Sequence, residues 1–185
     1  MLFSELIQIR QSVRAYQNKS IEAEKLQLVL EALRLAPSAS NAQPWKVIVI
    51  DEPELKNKIA NATFSSSISF NRFSLTAPVI VVLTIEKTKT ITQIGGWLKR
   101  RDFSLIDIGI AAEHFCLQAA ELGLGTCILG WFREKTIRKL LNIPRSTRIG
   151  LLITLGYPAD GYAIRPKIRK EYKEIIQFNK GFLRN

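Results

Sequence analysis

One stretch, Ser104 to Leu122, limits the possible folds of this chain more than any other. Leu105, Ile106, Ile108, Ile110, Ala111, Ala112, Phe115, Cys116, Leu117, Ala119 and Ala120 leave it apolar almost all the way round. A helix patterned in this way is buried on most sides. The chain has 185 residues, enough for one sizeable core. In so small a molecule, one fully enclosed helix suggests that a second subunit covers it. Gly123-Leu-Gly125 stops the helix, glycine being the usual residue just past a helix end.

The remaining elements read as helices and strands of a single domain spanning residues 1–185. Residues 3–10 read as a short helix. Ser20 is the expected N-cap of a second helix running to about Leu35, with Glu22 and Glu24 in its first turn. In it Leu26, Val29, Leu30 and Leu33 recur at helical spacing, giving one buried stripe. Pro37 ends it. Trp45–Ile50 is an apolar strand expected in the sheet interior, and 53–61 a helix with Pro53 in its first turn. Residues 62–76 lack periodicity and read as loop or irregular helix. Strands are expected at 77–85, 126–132 and 148–155, with a helix at 134–141. The basic connector 87–103 reads as a flap over a site or as a linker. The last ~25 residues carry basic residues and an amphipathic pattern.

Charge narrows the function classes. There are 27 Lys and Arg against 16 Asp and Glu, a net charge of +11. Such a balance attracts nucleic acid, acidic membranes or small anions. The cations are dispersed rather than interleaved with aromatic residues, so no base-stacking platform is visible and specific nucleic-acid binding is not expected. No run of ~18 apolar residues exists to span a bilayer. No basic leader precedes the first helix, which points to the cytoplasm. Cys116, Cys127 and the single His114 sit in apolar surroundings without metal-ligand spacing. All three are expected to be buried and structural, with no metal bound.

Chemistry is carried by three stretches. In Arg10-Gln-Ser-Val-Arg14 the two arginines and Ser12 alternate, so an extended backbone turns two guanidiniums and a hydroxyl to one side. That set suits a phosphate: planar forks of donors plus a neutral one. A second basic cluster stands at Arg165-Pro-Lys-Ile-Arg169. Between them lies the small, polar loop Ala36-Pro-Ser-Ala-Ser-Asn-Ala-Gln-Pro-Trp45. Neither Gly-x-Gly-x-x-Gly nor Gly-x-x-x-x-Gly-Lys-Ser/Thr occurs, so side chains rather than a glycine loop must hold any phosphate. The three stretches are expected to meet around one phosphorylated aromatic cofactor.

Together with Gly123-Leu-Gly-Thr126, these motifs resemble the nitroreductase family of FMN-dependent oxidoreductases, in order and spacing, over nearly the whole chain. The resemblance implies a three-layer α/β sandwich with a mixed central sheet flanked by helices, forming an intertwined homodimer with FMN at the subunit interface. It implies Arg10, Gln11, Ser12 and Arg14 on the phosphate and ribityl side and Lys167 and Arg169 on the phosphate. Pro37, Ser38, Ala39, Ser40, Asn41 and Gln43 would reach the flavin of the partner subunit. Ile128, Leu129 and Gly130 would offer backbone groups to the ring, and Asn71 its edge. After Arg169, Lys170-Glu-Tyr-Lys-Glu replaces the Pro-Leu-Glu common in relatives, which bears on the path of the tail.

The implied activity passes hydride from NADH or NADPH through FMN to a nitroaromatic, quinone or similar acceptor. A flavin carries the redox chemistry itself, so no catalytic acid–base pair is needed and none is visible. Dehalogenation or flavin fragmentation is the alternative within the family. A non-enzymatic basic binding module is the alternative outside it.

Overall fold

A computed structural model describes residues 1–86 and 102–179. Its centre is a four-stranded antiparallel sheet ordered β1-β2-β4-β3, with β1 Trp45–Ile50, β2 Val79–Ile85, β3 Gly125–Leu129 and β4 Arg148–Gly156. The helices are α1 Phe3–Ile9, α2 Ala23–Arg34, α3 Pro53–Asn61, α4 Phe103–Glu121, α5 Glu134–Leu140 and α6 Tyr172–Ile175. Short 3-10 turns occupy Ala39–Asn41 and Arg72–Thr76.

Three layers follow from side-chain alternation along the strands. Val79, Val81 and Leu83 turn to one face, where Val29 and Leu33 of α2 and Ala111, Phe115 and Ala119 of α4 meet them. Ile80 and Val82 turn to the other, against Ile59 of α3 and Ile137 of α5. Because both faces are covered, β2 is an unbroken apolar run rather than an alternating one. The expected sandwich is therefore present, with α2 and α4 on one face and α3 and α5 on the other.

Several expectations need correction. All strand pairings within the sheet are antiparallel; its mixed character reduces to one parallel bridge, Ser12 to Thr126. β1 lies at the sheet edge, not in its interior, and its apolar character reflects packing from both layers. The second helix begins at Ala23 with Glu22, not Ser20, at the N-cap position; the Glu22 carboxylate makes no capping bond and instead accepts the Tyr157 hydroxyl at 2.6 Å. β3 ends at Leu129, and Gly130 is exposed beyond it. His114 is exposed, one helical step from the buried Phe115. Both cysteines are buried and free. The flap reading of 87–103 falls almost entirely outside the described residues.

α4 closes in a Schellman turn. Leu124 N–H reaches Ala119 O at 2.8 Å and Gly123 N–H reaches Ala120 O at 3.1 Å, with Gly123 at φ +77°. The chain then enters β3 through Gly125, whose place is set by a close approach. A Cβ there would stand 2.6 Å from Val13 Cγ2. Val13 N–H in turn donates to Thr126 O at 2.8 Å. So the missing side chain of Gly125 lets the 10–14 stretch lie flat against the edge of the sheet.

The Gly125→Ala variant is expected to lose ~1–3 kcal/mol of stability through overpacking. Denaturant unfolding should show it as a lower midpoint with an unchanged slope. A midpoint equal to the parent's would mean that Val13 can move aside freely.

Candidate functional site

The two basic stretches meet because the chain after β4 runs back along its own beginning. Tyr16 and Pro158 form an antiparallel bridge. Gln17 N–H donates to Tyr157 O at 2.9 Å and Ala159 N–H to Ala15 O at 3.0 Å. Further along, Arg14 N–H donates to the Tyr162 hydroxyl at 3.0 Å, and Gln11 Nε2 donates to Ala163 O at 3.0 Å. Arg165 donates through N and Nε to Gln11 Oε1 at 3.2 and 3.1 Å and through its guanidinium to Ser12 O. The Lys167 ammonium donates to Arg10 O. Beneath this pairing the Tyr16 hydroxyl, buried and bonded to Val13 O and Thr154 Oγ1, ties the segment to β4. Burial pushes that phenol well above its ordinary pKa.

The result is an open groove of about 470 Å³ lined by Arg10, Gln11, Ser12, Arg14, Arg165, Lys167 and Arg169. No carboxylate lines it. Partial burial holds the Lys167 ammonium below its ordinary range; Arg169, Arg10 and Arg165 add to this, and Glu113 pulls the other way. Like charges gathered in this way are a receptor for an anion. Arg10 adds a second sign: its Nε is buried without a hydrogen-bond partner, while its Nη2 pairs with Glu113 at 3.1 Å. Glu113 is 47% exposed, and such a pair contributes about 0–1 kcal/mol. A charge-assisted bond to an anionic ligand contributes ~1.5–3 kcal/mol, so Arg10 is free to exchange one for the other.

Glu113 was not among the residues read from sequence, and Arg165 was read as part of the second basic cluster without a role of its own. Arg165 was legible, since it shares the alternation of Lys167 and Arg169. Glu113 was not: it lies on α4, and nothing in its neighbours marks a partner 103 residues earlier. Gln11 is present, but its side chain is spent on Ala163 O and Arg165 and serves as the clamp of the groove.

The loop 37–44 does not join this groove within one chain. Its anchor is Asp107 on α4, whose Oδ1 accepts Ala39 N–H at 3.0 Å. Glu113, beside the groove, lies six residues along the same helix, about 9 Å of rise away. Ser38 Oγ accepts Gln43 N–H at 2.9 Å, and Gln43 Nε2 donates to Asn41 Oδ1 at 3.0 Å. Ser40, Asn41 and Gln43 have φ of 52°, 51° and 45°. Left-handed backbone costs roughly 1–2 kcal/mol at each non-glycine residue, so three in one loop mark a conformation imposed by its surroundings.

Asn71 and the end of β3 do come together. Asn71 is buried, and its Nδ2 donates to Trp131 O at 3.2 Å, one residue past Gly130. Ile128, Leu129 and Gly130 thus lead from the Ser12–Thr126 bridge toward Asn71. Among the described residues there is no group of three or more side chains able to hold a metal, and no helix long and apolar enough to cross a membrane. Burial pushes both thiols, Cys116 and Cys127, above their ordinary pKa, which keeps them protonated and unreactive. A roomier cavity, about 870 Å³, lies away from these motifs under Lys135, Arg138, Lys139 and Arg145. Arg138 there is engaged by Glu134 and Thr147 O, and the last-turn cations complement the negative end of α5.

Three relatives share this architecture or sequence. A protein of Archaeoglobus fulgidus, provisionally named NADH dehydrogenase/NAD(P)H nitroreductase, is 31% identical over 159 residues, covering 84% of each chain. An iodotyrosine deiodinase of Thermotoga neapolitana is 24% identical over 192 residues, covering 93% of this chain and 94% of that one. The solved structure of an FMN-dependent nitroreductase from Clostridium difficile R20291 superposes with a TM-score of 0.76 at 26% identity, covering 95% of this chain and 98% of that one. The sequence model of the nitroreductase family matches residues 7–157, and the chain belongs to that family.

Proposed function

We propose that the protein is an FMN-dependent oxidoreductase that takes hydride from NADH or NADPH and passes it to a nitroaromatic, quinone or similar acceptor. The single observation that carries this is the carboxylate-free groove in which Arg10, Arg14, Lys167 and Arg169 converge. It has the charge and the donors for a terminal phosphate, and the family supplies the rest of the reading. When bound, FMN supplies the hydride chemistry. The chain's own part is to bind and orient it. Arg10 and Lys167 would hold the phosphate, the backbone of Ile128, Leu129 and Gly130 would face the flavin ring, and Asn71, whose Nδ2 donates to Trp131 O, would stand at the ring edge.

The loop 37–44 belongs to this scheme only through a second subunit, since it lies apart from the groove of its own chain. A homodimer with the two sites at its interface answers that separation. It also answers the exposed apolar side chains Leu105 and Ile106 on α4 and Ile164, Ile168 and Phe178 near the C-terminus. A reductive dehalogenase is a second reading, favoured by the iodotyrosine deiodinase relative.

Flavin released by heat should chromatograph as FMN, and FAD or an absence of flavin after reconstitution would overturn the proposal. In the same assay Arg10→Ala should weaken FMN by about one to two decades and leave riboflavin, which lacks the phosphate, unchanged.

Lys167 gives a pH signature. Burial and the neighbouring cations hold its ammonium below its ordinary pKa, and a bound phosphate raises it again, so FMN binding should take up a proton in the range just below the ordinary lysine pKa. Affinity should therefore fall as pH rises through that window. Calorimetry in buffers of different ionisation enthalpy measures the uptake; Lys167→Met should abolish it.

The dimer is tested on the outer stripe of α4. Ala112 is fully buried within its own chain, but Ile106 is 53% exposed. Ile106→Glu should lose dimer and flavin together while keeping the fold, by light scattering and flavin absorbance. A yellow monomer would contradict a shared site.

A further inference from the structure

The carboxylate of Asp107 stands out because it is buried, 3% exposed, and only half used. Oδ1 accepts Ala39 N–H at 3.0 Å, while Oδ2 is buried with no partner. The turn it faces has a particular shape. Ala39 is helical and Ser40 left-handed, with φ 52° and ψ 28°. Successive residues of those two hands turn their N–H groups toward one concave point, which makes a receptor for an anion. The third amide of the turn is accounted for: Asn41 N–H donates to Ser38 O at 3.0 Å, closing the turn. The concavity therefore offers two N–H groups, those of Ala39 and Ser40, to one carboxylate with two oxygens.

We infer that Asp107 is a positioning residue for flavin binding, whose two oxygens cap the amides of Ala39 and Ser40 when the 38–43 loop closes over the flavin of the partner subunit. This rests on the proposed function, which gives the loop that task. In the free chain one bond of the pair is made. The second oxygen is an acceptor held in reserve, and it removes the cost of burying an unpaired carboxylate oxygen once the loop seats. No other hydrogen bond among the described residues ties this turn to α4, so the loop's aim depends on Asp107. The residue touches neither phosphate nor flavin; it acts through the backbone of the loop.

Asp107→Asn separates this role from a merely structural one. The amide keeps an oxygen for Ala39 N–H, the bond already made, but sets an NH2 group where Ser40 N–H needs an acceptor. Asp107→Ala removes both. Titration of each flavin-free variant with FMN and with riboflavin reads the effect, since the loop serves the ring and not the phosphate. Both variants should bind both flavins about tenfold more weakly. The thermal midpoint of the flavin-free Asn variant should match the parent. Hydrogen exchange supplies a readout independent of affinity: flavin should protect the Ser40 amide in the parent and not in Asp107→Asn. Parent-like affinity for both flavins, or parent-like Ser40 protection, in the Asn variant would overturn the inference. The proposed function has its own arm in Arg10→Ala: loss of FMN alone keeps it standing whatever Asp107 does, and equal loss or no loss of both flavins would count against it.

Discussion

Everything distinctive about this molecule depends on the return of the chain along its own beginning. Residues 157–167 lie antiparallel to 10–17, and the pair docks on the edge of β3 where a sheet would otherwise end in unpaired backbone. Two glycines make that docking possible. A Cβ on Gly125 would meet Val13, and a Cβ on Gly156, its partner across β3 and β4, would stand 2.5 Å from Pro78 Cδ and 2.9 Å from Tyr16 Cδ1. The space saved by both is filled by residues of the returning pair and its support. Backbone hydrogen bonds along the pair then fix the register, and register decides which side chains share the groove.

Electrostatics follows from that register. Arginine and lysine side chains brought together by backbone pairing repel one another, and the groove is tolerable because it is open to water, which screens them. The backbone groups absorb part of the donor excess: Lys167 rests on Arg10 O and Arg165 on Ser12 O. Glu113 balances one of the charges through its pair with Arg10. The positive excess that remains suits the groove to an anion.

How much of this could be read from sequence differs by element. The stripe of α2 was legible because one-sided burial leaves a period in the residue pattern, and the apolar strands and the enclosed α4 because burial on both sides leaves unbroken apolar runs; the three layers were implied by the family resemblance. The alternation of Arg10, Ser12 and Arg14 was legible for the same reason: period 2 survives in a single extended segment. Its convergence with 165–169 was inferred from their shared fitness for a phosphate and strengthened by the resemblance, since no local signal couples residues 157 positions apart. The edge position of β1 and the antiparallel order were misread because each is decided by distant partners. Asp107 was invisible: one acid in an apolar helix reads as an interruption until the Ala39 amide is seen above it. The left-handed residues of the 38–43 loop were only partly marked, since Asn41 is of a type enriched at positive φ whereas Ser40 and Gln43 are not.

The bond from the Lys167 ammonium to Arg10 O also separates the groove from the core along the chain. Translation delivers Arg10 early and Lys167 157 positions later. By Gly156 the chain already holds all four strands of the sheet. Layers and core therefore take nothing from the residues that complete the far wall of the groove. A chain cut between Gly156 and Lys167 would keep every strand pairing of the sheet and lose that wall.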